Sequence, residues 1–276
     1  LPDPQGILAT TYSNTCWQNG LLDKTDHLAR HGFVDKHFAH LLDPELLGYP
    51  TQYSNPASGD TFPVAPFQYI ETHDHSRVLA RVAGSGLTDL LGMPYGDRSQ
   101  YFRLQPFVIA LYTAKGIPML WQGQEFGENW GVPGSGTGRV LFRRDLHWEY
   151  FYDAPGRALI RLYRILGHLR RSSRALASRG FFFYFHDPAQ LARGVFCFRR
   201  EAQPDGATAG ESVLVFLNFS DTNADCWVPF PHPGAWVEMI DQADSPRPTI
   251  HVAAAGDWHA AHVPAHYGLI YRSALP

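Results

Sequence analysis

The sequence predicts an α/β segment followed by an all-β antiparallel sandwich, and two observations carry that expectation. Between residues 67 and 121 a short apolar run, a run with helical spacing and a second short apolar run follow one another, which is the strand–helix–strand order of a parallel unit. After about residue 178, seven short apolar runs are separated by Pro, Gly, Asp and Asn with no helix between them, as in a small antiparallel sandwich. A chain of 276 residues, against about 150 per domain, fits two domains, placed at 1–178 and 179–276. With 45% apolar and 18% charged residues, it can bury a sizeable core and is not a disordered chain.

Residues 7–12 read as a strand, and 25–42 as a helical stretch interrupted by Gly32. Residues 67–71 form a short strand between Pro66 and the polar Thr72-His73-Asp74. Ser99 is expected to cap a helix that runs to about Lys115, with Phe102, Leu104, Phe107, Val108, Leu111 and Tyr112 as its apolar positions. Gly116 stops it. Residues 117–121 then follow as a buried parallel strand. Asp153 before Ala154 and Pro155 opens a helix whose Ala158, Leu159, Leu162, Ile165, Leu166 and Leu169 keep one apolar face to about Arg171. The sandwich strands are expected at 181–185, 194–200, 213–219, 226–230, 236–240, 249–252 and 268–272.

Charge and cysteine content exclude several classes. Lys plus Arg number 23 against 26 Asp plus Glu, a net of −3, so no excess positive charge is present to neutralise phosphates, and no nucleic-acid partner is expected. The longest apolar stretch, 107–114, falls far short of the roughly 18 residues that span a bilayer, so no membrane partner is expected either. The chain begins with Leu and lacks the basic start and apolar centre of a secretory signal; it reads as cut from something longer. Cys16, Cys197 and Cys226 are odd in number and far apart, which fits neither a disulfide framework nor a zinc site. Reduced thiols and a cytoplasmic setting are expected. Aromatic residues reach 14%, which suits either a large core or a sugar-binding cleft with ring faces as platforms.

Two motifs carry chemistry. Phe67-Gln-Tyr-Ile-Glu-Thr-His-Asp-His-Ser-Arg77 puts an imidazole, a carboxylate and a guanidinium at the end of an apolar strand, and in an α/β barrel that end is the catalytic face. There His73 would donate to a sugar hydroxyl and Asp74 accept from one. Taken alone, the pair reads more readily as a cap or a structural contact. The second motif, Gly116-Ile-Pro-Met-Leu-Trp-Gln-Gly-Gln-Glu125, ends a second strand in Trp121, Gly123, Gln124 and Glu125.

The two motifs, one helix apart, together with Val213-Leu-Val-Phe-Leu-Asn218-Phe-Ser and the late Gly268-Leu-Ile-Tyr-Arg, resemble the α-amylase family of glycoside hydrolases and glucanotransferases from about Phe67 to the end of the chain. The resemblance implies a partial (β/α)8 TIM-type barrel, holding its last strands and helices, followed by that family's C-terminal β-sandwich. It implies that His73 and Asp74 are catalytic: His73 contacts the sugar at the cleavage point and stabilises the transition state, while Asp74, the third carboxylate, holds ring hydroxyls and favours distortion. His73, Asp74, Arg77, Trp121 and Gln124 would bind substrate, an α-linked glucan or maltooligosaccharide, and Glu125 would be structural. Thr72 departs from the Asn common at that position.

A retaining mechanism also needs a nucleophilic Asp and an acid Glu about 5 Å apart, and neither motif is present. Gly32-Phe33-Val34-Asp35-Lys36-His37 superficially resembles the nucleophile segment, but it lacks the expected Arg and sits in a helical stretch. Eight βα units take about 250 residues, more than the 178 before the sandwich, and about three barrel strands are expected. The chain would therefore pair with a missing N-terminal barrel portion, self-associate, or fold as an adapted half, and would be inactive alone. The alternative is a non-catalytic carbohydrate-binding or scaffolding protein derived from the same family.

Other motifs carry less. His27 and His31, and His37 and His40, could each share a helix face, but no Glu completes HExxH, and no metal or other cofactor is expected. The glycine-rich run 131–138 lacks the Lys of a phosphate loop and the spacing of a dinucleotide fingerprint and reads as a loop on a cleft rim. Neither Ser85 nor Ser135 lies in a nucleophile elbow.

Overall fold

The computed structural model describes residues 13–88, 92–133, 143–241 and 246–275. The strand expected at 7–12 lies outside the described residues, as do residues 134–138 of the glycine-rich run. Strand β1 (Trp17–Gln18) leads into helices α1 (Gly20–His31) and α2 (Lys36–Leu42) and a hairpin, β2 (Gln52–Ser54) and β3 (Thr61–Pro63). Strand β4 (Phe67–Gln68) is followed by α3 (Val78–Val82), the hairpin β5 (Gly84–Thr88) and β6 (Pro94–Gly96), a 3-10 segment (Arg98–Leu104) and α4 (Gln105–Thr113). Strand β7 (Ile117–Pro118) leads through 3-10 turns at Gln124–Phe126 and Trp148–Phe151 into α5 (Ala154–Ser172) and α6 (Arg174–Ala177).

β1, β4 and β7 form a parallel sheet in that order, with Gln18 opposite Gln68 and Gln68 opposite Pro118. The buried Gln68 amide ties all three together. Its Nε2 donates to Gln18 Oε1 at 2.9 Å and to the Leu41 carbonyl at 2.5 Å, and its Oε1 accepts from the Gly116 N–H at 2.7 Å. Gly116 therefore does something other than end the helix, which stops at Thr113. A Cβ on Gly116 would sit 2.6 Å from the Gln68 side chain, so only glycine lets the strand approach the amide.

Local caps explain where the helices start and stop. Gly32, with φ 65°, closes α1 by donating to the Leu28 carbonyl at 2.7 Å. Asp35 accepts from the Phe38 N–H at 3.0 Å and caps α2; it is a helix cap and not a nucleophile. The helix expected from Ser99 is corrected in two ways. Asp97 is the cap, accepting from the Ser99 N–H at 2.9 Å, and the first turns are 3-10 up to Leu104, with α-helix resuming where Pro106 sits at its first turn. Asp153 caps α5 as expected, accepting from the Gly156 N–H at 2.7 Å.

The remaining strands are β8 (Gly180–Tyr184), β9 (Val195–Ala202), β10 (Gly210–Asn218), β11 (Ala224–Pro229), β12 (Gly234–Glu238), β13 (Ile250–Val252), β14 (Trp258–Val263) and β15 (Tyr267–Leu275). Six pair in the order β13-β12-β15-β10-β9-β8, and β11 pairs with β14, all antiparallel. Two expectations are corrected. β14 was not foreseen, because Trp-His-Ala-Ala-His-Val contains no apolar run, and a short helix, α7 (Pro188–Ala192), interrupts the strands where Asp187 caps it.

The six-stranded sheet is buried on both faces. Cys197, Leu214, Phe216, Leu269 and Tyr271 pack against Cys226, Val228, Ala261 and Val263 of the β11–β14 ribbon. Phe196, Phe198, Val213, Val215, Leu217 and Ile270 join the helices in a single core with Phe107, Ile109 and Leu166. The change of pattern at 178 does mark the passage from helix to strand, but the residues on either side of it share that core. Arg200 crosses the boundary, fully buried, and donates to the carbonyls of Thr113, Ala114, Leu176, Ser178 and Gly180. No described helix is long and apolar enough to cross a membrane.

Candidate functional site

The turn after β4 and the segment after β7 come together at the carboxyl ends of the parallel strands. Thr72 shapes the turn. Its hydroxyl accepts from the Asp74 N–H at 3.3 Å and lies 2.8 Å from His75 Nδ1, a local turn bond that Ser, Thr, Asn and Asp can all make. His73 and Asp74 project from it, Nε2 to Oδ2 3.4 Å apart, with 52% and 65% of their side chains exposed. The imidazole stands between two indoles, 5.9 Å from Trp17 at 86° and 5.6 Å from Trp121 at 48° between ring planes. Its backbone carbonyl accepts from Arg144 Nη1 at 2.6 Å.

Beneath this surface the sequence-predicted residues separate. Arg77 is corrected from substrate contact to support: it is fully buried, donating to Glu71 Oε2 at 2.9 Å and to the Gln122 carbonyl at 2.6 Å, with its guanidinium 4.5 Å over the Trp130 ring. Glu71 also accepts from the Val78 N–H at 2.7 Å and so starts α3. Gln124 is corrected in the same way. Its side chain is buried, accepting from the Trp121 N–H at 3.3 Å and donating to the Tyr163 hydroxyl at 2.8 Å, which orients the tryptophan without reaching the surface. The buried carboxylate of this segment is Glu128 rather than Glu125; it accepts from the backbone N–H groups of Asn129 and His147 and lies 2.8 Å from His147 Nδ1.

Tyr69 supports the same face. Its ring meets Trp17 at 5.5 Å and its hydroxyl donates to Asn19 Oδ1. Burial, with the Asp23 carboxylate nearby, pushes that phenol up to about 12. What remains exposed is one imidazole, one carboxylate and two ring faces, a surface that can donate to and accept from hydroxyls while stacking on an apolar ring face. Among the described residues, no group of three or more His, Cys, Asp or Glu is placed to hold a metal ion. A cavity of about 220 Å³ bounded by Tyr49, Pro66, Lys115, Gly116 and Arg179 lies at the amino ends of β4 and β7, away from His73 and Asp74. Carboxyl ends of parallel strands, where the βα loops gather, are the better candidate.

No protein-family profile and no curated protein sequence matches the chain. Solved structures do. An α-amylase from Anoxybacillus, described as a new glycosyl hydrolase subclass, superposes with a TM-score of 0.61 at 13% identity, covering 95% of this chain and 47% of its own. The type III pullulan hydrolase of Thermococcus kodakarensis gives 0.59 at 21% identity over 94% of this chain and 36% of its own. The γ-CGTase of alkalophilic Bacillus clarkii gives 0.58 at 15% identity over 94% and 32%. The fold is that of α-amylase-family enzymes. The chain spans between about a third and a half of the length of these amylase-fold structures.

Within this amylase fold, sequence reasoning missed Trp17, Asn19, Tyr69, Glu71, Trp130 and Arg144. Glu71 had a signal, since an acid at the end of an apolar strand six residues before an Arg has to find a partner if it is buried. Trp17 and Asn19 had none, because β1 is only two residues long.

Proposed function

We propose that this chain supplies the C-terminal part of an α-amylase-type enzyme that hydrolyses or transfers α-glucosidic bonds in glucans with retention, the nucleophilic Asp and acid Glu lying outside it. The observation that carries the reading is the exposed His73–Asp74 pair at the carboxyl end of a parallel strand, flanked by Trp17 and Trp121. The structural neighbours are named an α-amylase, a pullulan hydrolase and a CGTase, which supports an α-linked glucan as substrate. His73 would donate to a hydroxyl of the sugar being cleaved, and Asp74 would hold ring hydroxyls as the ring flattens. Such bonds, strengthened in an oxocarbenium-like transition state, supply several kcal/mol. Trp121 would stack against a neighbouring glucose unit.

β1 and β7 are the outer strands of the described parallel sheet, and an open sheet edge calls for a neighbour. A preceding barrel portion would pair there, closing the partial (β/α)8 barrel, with self-association as the competing arrangement. The free Cys16, Cys197 and Cys226 suit a reducing, cytoplasmic setting. The second reading, a non-catalytic carbohydrate-binding or scaffolding protein, is favoured by the half-open His73 face. The coding sequence upstream separates the two: a barrel half with paired carboxylates supports the enzyme.

The deciding experiment mixes this chain with that separately produced portion and measures reducing sugar released from starch. Activity is expected only in the mixture, and Asp74→Asn should lower kcat by about a hundredfold. Robust turnover by the 276-residue chain alone would sink the claim that the principal acids lie elsewhere.

A further inference from the structure

The outer face of the β11–β14 ribbon carries two tryptophans that the His73 face does not use. Trp227 is 52% and Trp258 53% exposed, high for the largest aromatic side chain, and exposed large apolar groups side by side are the informative case. Alternation turns Cys226 and Val228 inward and Trp227 outward on β11, and Ala261 and Val263 inward and Trp258 outward on β14. Register sets Trp227 opposite Ala260 and Pro229 opposite Trp258, so the two indoles are diagonal neighbours, within reach of each other at a typical separation of about 7–8 Å.

Other groups organise the platform. His186 Nε2 donates to the Trp227 carbonyl at 3.0 Å, and its ring meets Trp258 edge-on at 4.9 Å and 87°. At the other end of the ribbon Asp225 and His262, paired at 2.8 Å and both more than half exposed, offer hydrogen-bonding groups beside the rings.

We propose that this face is a second glucan-binding surface, separate from the His73–Asp74 site. An α-linked glucose chain would lie with its CH faces on Trp227 and Trp258 and its hydroxyls toward Asp225 and His262. The choice of ligand rests on the function proposed above; the existence of the surface rests on the ribbon. Two other occupants fit less well. The six-stranded sheet stands between the ribbon and β1, β4 and β7, so a barrel portion that completes the parallel sheet does not cover these rings. Two half-exposed indoles present on the order of 200 Å², far below the roughly 800 Å² per partner of a stable protein interface, so a second copy of the chain gains little here. The outward ribbon positions hold one carboxylate, Asp225, already bonded to His262, which suits a neutral polyol better than a charged partner.

The test measures retention of the full chain on immobilised glycogen, with maltoheptaose as competitor. The Trp227→Ala/Trp258→Ala variant is expected to bind about tenfold or more weakly with an unchanged circular dichroism spectrum. Undiminished binding by the double variant would overturn the ribbon surface and leave the His73 reading standing. Failure of the unmodified chain to bind glycogen would also overturn it, whereas the His73 reading is judged separately by activity in the mixture. If the double variant does not fold, oxidation of Trp227 and Trp258 in the unmodified chain, mapped by mass spectrometry, decides: protection by maltoheptaose supports the surface and its absence overturns it.

Discussion

Arg77 and Glu71 meet at 2.9 Å with 0% and 2% of their side chains exposed, so the pair that holds the His73 turn is sealed away from the exposed His73–Asp74 face. Glu71 also receives the Val78 N–H, and Arg77 reaches the Gln122 carbonyl. The pair therefore links the end of β4, the start of α3 and the segment after β7.

Arg77→Met should lose about 3–5 kcal/mol of stability, because it leaves the Glu71 carboxylate buried without its cation. The loss would appear as a lower midpoint in urea unfolding. Combining it with Glu71→Gln should cost clearly less than the sum of the single losses, since the two groups are in direct contact; strict additivity would mean that the pair is not coupled.

Gly116→Ala tests the Gln68 clamp. The added methyl meets the Gln68 side chain at 2.6 Å, and overpacking of this kind costs about 1–3 kcal/mol, so a lowered Tm is expected. A change of the same size at Gly59, where nothing stands within 4 Å but φ is 76°, would reflect backbone strain alone and sets the comparison.

Asp153 both caps α5 through the Gly156 N–H and receives Arg98 Nη2 at 2.6 Å. Asp153→Asn keeps a side-chain oxygen for the cap and gives up the ion pair, whereas Asp153→Ala removes both. The alanine variant should be about 1 kcal/mol less stable than the asparagine one, measured by thermal melting. Equal melting would show that the cap contributes nothing.

His266 carries a pH dependence. Burial lowers its pKa from 6.5, against the opposing bond to Asp221 at 2.6 Å, and Arg103 nearby also disfavours the charge. The unfolded chain thus binds a proton before the folded one. The stability this residue contributes is fully present above 6.5 and is lost as pH falls through the lower folded value. The Asp221 carboxylate, held below its usual range first of all by the His266 bond, loses its own contribution at more acid pH. In His266→Asn, which tolerates the residue's φ of 48°, the slope of unfolding free energy just below pH 6.5 should flatten. An unchanged slope would remove His266 as its source.

Sequence made the helices and most of the antiparallel strands legible for local reasons. Asp153 followed by Ala154-Pro155 is a helix start wherever the helix packs, and the residues from Val213 to Phe216 are apolar at every position because the sheet they join is covered on both faces. Elements with weak local signals were missed. β14 mixes His and Ala between its terminal Trp and Val rather than running apolar, and the parallel strands are two residues each, too short for any period to show.

The candidate site divides in the same way. His73, Asp74 and Trp121 were legible from motif and strand-end position, and they do stand together on one exposed face. Arg77 and Gln124 were expected there too, but side-chain direction sends them inward, to Glu71 and to Tyr163.

By itself, then, the order of residues determined the succession of an α/β segment and antiparallel strands, the helix ends at Gly32 and Asp153, and the two strand-end motifs, all of which depend on neighbours within a few positions. The tertiary structure decided that residues either side of 178 share one core, that Arg77 and Gln124 are supports, that Trp17 joins Trp121 around His73, and that Trp227 and Trp258 face the same side of one ribbon. Most of these rest on contacts between residues 30 or more apart in sequence, such as Arg77 with Gln122 and Gln124 with Tyr163, and only packing, which buries apolar area and makes each buried polar group find a partner, brings them together.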